Sequence, residues 1–233
     1  MKVRNIKIGN ISIWALVLAG GLQSCQTKEN KQADAKLDVE PTVVSMEVEP
    51  DQAFQKALEF FAKEEYDSSA RSVEQAADIM EQISNTLTGE RNEAIDTSVS
   101  DLRDLATSIS TDHVYGIGEL NYYFGKAGRA LAGYTMTITD EKFTNLTPEE
   151  TGSFFRAAID KMEKSAHYHQ RELNNEEKAL FEKAKAMRDR LEKGEAVDKT
   201  ETLKMISELK AQLEKWEKEF KAKHDEENSK MKK

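Results

Sequence analysis

Beyond residue 50 the chain holds a single proline, Pro148, and its apolar residues recur at spacings of three and four as far as Phe220. A half-buried strand needs sustained two-residue alternation, and none occurs, so this period restricts the chain to helices. Phe54, Leu58 and Phe61 form one stripe. Val73, Ala76, Ala77, Met80, Ile83 and Leu87 form another, and Ile95, Val99, Leu102, Leu105 and Ile109 continue the pattern after Gly89. A length of roughly 180 residues is enough to bury one core. The expectation is therefore an all-α fold: a multi-helix bundle of antiparallel helical hairpins over 51–223, ending in a coiled-coil-like hairpin.

The most apolar stretch, from Asp112 to Ile138, contains Tyr115, Ile117, Leu120, Tyr122, Tyr123, Phe124, Leu131 and Tyr134. A helix apolar on most sides belongs at the centre of a bundle. Gly118, Gly125 and Ala132 recur every seven residues in it and leave a smooth stripe for a neighbouring helix. Each glycine costs about 1 kcal/mol of helix propensity relative to alanine, so close packing, or a pocket lined by tyrosines, must compensate. No strand precedes these glycines, so a phosphate-binding loop is not supported.

The first two stripes, joined at Lys63 to Asp67, resemble a tetratricopeptide repeat. Ala57, Phe60, Tyr66, Val73 and Ala76 match its small, aromatic, aromatic, large and small positions, while Lys56 and Ser69 depart from it. The match covers one repeat. Such repeats bury their faces against neighbours, so the resemblance implies a helical hairpin and no binding array.

After a loop over 139–146, Thr147 followed by Pro148, Glu149 and Glu150 has the form of a capped helix start. Leu146 to Glu150 also resembles the Leu-Thr-x-x-Gln box of Spy-like periplasmic chaperones, with Glu in place of the final Gln. The helix that follows carries Asp160, Glu163, His167 and His169. The first three can share a face, whereas His167 and His169, two positions apart, point about 200° away from each other and cannot ligate one metal from a regular helix. A metal or haem site would need Glu163 and His167 completed by His113. Neither the Glu-x-x-His pairs of di-iron bundles nor His-Glu-x-x-His is present, and no cofactor is expected.

Leu173 to Asn175 marks a bend, followed by Leu180, Ala184, Met187 and Leu191. Gly194 breaks that helix and Asp198 with Glu201 can cap the next. There Ile206, Leu209, Leu213, Trp216 and Phe220 form the clearest coiled-coil seam. This seam is the candidate interaction surface, and the Lys-rich tail, 224–233, is expected to fray.

The N-terminus carries a different signal. Lys2, Arg4 and Lys7 precede an apolar run from Ile11 to Leu22, too short to span a bilayer and laid out as a signal peptide over 1–24. Leu22, Gln23, Ser24 and Cys25 resemble the lipobox of bacterial lipoproteins. The resemblance implies cleavage before Cys25, acylation of that cysteine and durable anchoring without a transmembrane helix. Gln26 in place of Asp after it implies the outer membrane. Cys25 is the sole cysteine, so no thiol remains for a disulfide or a nucleophile. Residues 25–50, polar and containing Pro41 and Pro50, read as a disordered tether.

Removal of Lys2, Arg4 and Lys7 with the signal peptide takes the net charge from −9 to −12, which argues against a nucleic-acid partner. No Ser-His-Asp set or paired acid and base can be assembled, so the chain is read as non-catalytic. Two functions remain: an envelope interaction or scaffold protein that docks a partner or self-associates, and a periplasmic carrier of a small molecule, metal or haem. An exposed seam at Ile206 to Phe220 would favour the first, and a bound ligand the second.

Overall fold

The computed structural model describes residues 50–87, 92–111 and 116–231. The expected signal peptide with Leu22, Gln23, Ser24 and Cys25, the expected tether as far as residue 49, and His113 lie outside the described residues. Within them the chain forms α1 (Pro50–Ala62), α2 (Tyr66–Leu87), α3 (Glu93–Ser110), α4 (Ile117–Lys142), α5 (Pro148–Tyr168), α6 (Asn175–Glu192) and α7 (Lys199–Met231). A single 3-10 turn, Phe143–Asn145, separates α4 from α5, and no strand occurs among the described residues. The fold is an all-α helical bundle.

Local chemistry sets the helix starts. The Thr147 hydroxyl accepts from the Glu150 N–H while the Glu150 carboxylate accepts from the Thr147 N–H, completing the capping box. Asn174 and Glu177 form a second capping box at α6, and Asp198 accepts from the Glu201 N–H at the start of α7. Three helices end alike, with a left-handed residue and paired backward hydrogen bonds. Gly194 (φ 71°) supplies that residue after α6, but Glu64 (φ 61°) and Gln170 (φ 50°) supply it after α1 and α5. Neither side chain announces such a turn.

Helix α4 is the shared wall of two cores and packs against α1, α3, α5 and α7. Leu120, Phe124, Ala127, Leu131, Tyr134 and Ile138 line one side of it and meet Phe54, Val73, Met80, Ile95, Leu102 and Ile109 from α1 to α3. Ala132 and Met136 face a second core built by Phe155, Ile159 and Met162 of α5, Phe181 and Met187 of α6, and Leu209, Trp216 and Phe220 of α7. The glycines of α4 that matter lie toward α5. A Cβ on Gly125 would sit 2.5 Å from His169 Nε2, and one on Gly128 would lie 3.4 Å from the Lys161 carbonyl oxygen. Gly118 faces open space, so the sevenfold stripe does not act as one surface.

The structure corrects three expectations. Ile206, Leu209, Leu213, Trp216 and Phe220 are all buried within the chain, because α7 lies on α4 and the second core uses the seam. No exposed interaction seam exists there. The tail does not fray at 224: α7 continues to Met231, with His224 stacked on Tyr122 (3.6 Å between ring centroids) and Lys230 paired with Glu226. The loop expected over 139–146 is mostly the end of α4 and the 3-10 turn.

Candidate functional site

The metal candidates do not converge among the described residues. Glu163 accepts from Lys185 Nζ of α6 at 2.6 Å, and His167 is exposed on α5. No three His, Cys, Asp or Glu side chains gather as a ligand set among the described residues.

A buried polar cluster lies instead around Arg129, a charged residue on the largely apolar α4 and only 4% exposed. Helices α5 and α7 and the residue that caps α5, His169, supply its partners. Nε donates to Glu217 Oε2 of α7 at 2.9 Å, and Nη2 lies 2.8 Å from the same oxygen without hydrogen-bond alignment. Nη1 reaches Ser165 Oγ of α5 at 3.2 Å, and that hydroxyl donates to the Gly125 carbonyl at 2.9 Å. Nη1 also lies 2.6 Å from His169 Nε2. Guanidinium can only donate, so Nε2 must accept and the imidazole is neutral. Burial, and then the Arg129 charge, push the His169 pKa down to about 3. Burial lowers that of Arg129 as well, against the pull of Glu217.

Rings frame this polar cluster. His169 stacks on Phe220 at 3.7 Å, Arg129 sits 4.9 Å over the same ring, and Tyr122 meets His169 edge-on at 5.9 Å. Burial, followed by the Glu217 charge, raises the Tyr122 hydroxyl to about 12, so it is protonated at any physiological pH.

A second network seals the base of α6. The Glu177 carboxylate, 1% exposed, accepts from Trp216 Nε1 at 2.8 Å, from Arg171 Nη2 at 2.6 Å and from the Asn174 N–H at 2.9 Å. Burial pushes its pKa up, but these hydrogen bonds and the Arg171 charge outweigh burial and hold it below the usual carboxylate range. Lys161 and Lys164 of α5 converge on Asp51 of α1 at 3.1 and 2.6 Å. These charges tie helices together; none combines a nucleophile with a base in an open site.

The open feature is a groove of about 740 Å³ along α4, walled by the N-terminal part of α3 and by α7 from Lys210 to Glu217. From Phe124 to Thr139 every residue of α4 is buried except Lys126, Ala130, Gly133 and Thr137. Those four lie at spacings of four, three and four, so they form a single stripe, the groove floor. The stripe spans about 16 Å at 1.5 Å per residue. Both of its lysines are paired at the rim, Lys126 with Asp101 at 2.6 Å and Lys210 with Asp140 at 2.9 Å. The floor residues lay inside a segment flagged from sequence, but no local signal shows which side of α4 stays open.

Comparison with known protein families, with curated proteins and with solved structures finds no match to this chain.

Proposed function

We propose that this chain is a lipid-anchored envelope protein whose helical bundle binds a partner without catalysis, and that the groove over α4 receives one helix of that partner. The groove floor carries this reading: four half-buried residues at helical spacing, with Ala130 and Gly133 at the middle, between two helices that already flank α4. Small side chains there permit the close approach that ridge-into-groove packing needs. The partner is another envelope protein or a second copy, and of the α7 seam only Leu213 borders the groove. The anchor rests on Leu22 to Cys25 and on the unique cysteine. The tether would supply reach.

Intact-mass analysis of the full chain expressed in a bacterial host tests the anchor. Loss of residues 1–24 with acyl mass on Cys25, absent in Cys25→Ser, supports it; an unmodified cysteine contradicts it. A carrier role is the second reading, favoured by the groove volume, which falls within the range of small-molecule sites. Native mass spectrometry of the protein purified from cells grown with iron and zinc separates the two. A bare chain or clean oligomer supports partner docking, and a small-molecule, metal or haem mass replaces it with the carrier role.

A further inference from the structure

We infer that the His169–Arg129 contact is an acid-sensitive latch, holding the C-terminal end of α7 on the bundle near neutral pH and releasing it when His169 takes a proton. Geometry carries the inference. At 2.6 Å, Arg129 Nη1 needs the Nε2 lone pair, and protonation would set two N–H donors and two like charges against each other. Retreat toward α4 is closed, because Gly125 leaves no more room than its missing Cβ provides. With the Nε2 end of the ring held against Gly125 and Arg129, and one face lying flat on Phe220 of α7, relief moves His169 and Phe220 apart.

The anions near the ring are already paired with other cations. From α4, Arg129 and the phenol of Tyr122 face the ring; beyond the end of α5 stands Arg171; from α7 come Lys223 and His224. Glu227 lines the same small cavity but pairs with Lys223, and Glu217 is held by Arg129. That cavity, about 220 Å³ and bordered by Gly118, Tyr122 and His224, gives solvent a route to the ring. Beyond Phe220, the contacts of α7 with α4 include the His224 stack on Tyr122, while the hydrogen bond between His224 and Asn228 lies within α7 itself. Once Phe220 shifts, little apolar area holds this end.

The sign follows from linkage. The folded pKa lies below the unfolded value, so the closed form binds fewer protons and loses stability as pH falls from about 6.5 toward about 3. At pH 4.5 the latch opening constant should rise by up to about 100-fold over its neutral value. Because Arg129 and Glu217 also line the groove over α4, release of α7 would widen its Lys126 end.

Hydrogen exchange read by mass spectrometry on the full chain at pH 7.5 and 4.5, converted to protection factors to remove the intrinsic pH dependence, tests the latch. The expected result is a loss of protection of 10-fold to about 100-fold in 217–231 with α3 unchanged. The loss should be abolished in His169→Gln, whose amide oxygen still accepts from Arg129, and retained in His224→Gln. Unchanged protection in the native chain, equal loss in every helix, or a loss that follows His224 would overturn the proposal.

Discussion

The two cores on either side of α4 are built from different materials. The first, between α4 and α1 to α3, is apolar apart from the phenols of Tyr134 and Tyr168, and is filled by Phe54, Val73, Met80, Ile95, Leu102 and Phe124, with Phe54 and Phe124 stacked at 4.3 Å. The second is threaded at one end by Arg129, Glu217, Arg171 and Glu177, each fixed by partners on other helices. An apolar core tolerates any pH and many repackings, since area and volume are its main terms. Buried ion pairs contribute little net stability but penalise misalignment, because a half-made pair strands a charge. The second core therefore fixes how α7 lies on α4, and with it the width of the groove.

Substitutions can break or sharpen this contrast. The largest effect is expected for Phe124→Ala, at about 4 kcal/mol by denaturant unfolding and equal at pH 7.5 and 4.5. A cost that varied with pH would mean that a group titrating between these pH values takes part in the first core. Glu177→Gln should cost about 3 kcal/mol at neutral pH, since Trp216 and Arg171 lose a charged acceptor while Arg171 keeps only Glu219. Here the cost must shrink on acidification: the folded pKa is depressed, so its contribution is present above the ordinary glutamate value and is lost as pH falls through the folded one. Gly125→Ala is the mildest, at about 1–3 kcal/mol by thermal unfolding, as its Cβ presses on the His169 ring. A neutral outcome would show that the ring is not confined.

Periodicity made the helices legible, and the caps at Thr147 and Asp198 were visible as local words. The turns at Glu64 and Gln170 were not, because a left-handed residue without glycine is imposed by packing on either side of it. The seam of α7 shows a deeper limit: spacing identifies an apolar face but not what covers it, and Ile206 to Phe220 proved to be covered by the chain itself. The polar network escaped for a similar reason. Arg129 and Glu217 lie 88 positions apart, so only the isolation of Arg129 among apolar neighbours could have drawn attention to it. His169 was visible as a titratable group, but its role depends on the Gln170 turn and on the space at Gly125.

The central claim is that the groove over α4 receives a helix of another protein, and photo-crosslinking in living cells tests it most directly. A photoreactive residue at Thr137, on the groove floor, should yield a discrete protein adduct, and the same residue at Lys56 of α1 should not. Gly133→Trp, whose Cβ would sit in ordinary contact with Leu213 Cδ1 at 3.9 Å, should fill the groove with its ring and abolish the adduct. Equal labelling from Lys56, or an adduct that survives Gly133→Trp, would contradict the account.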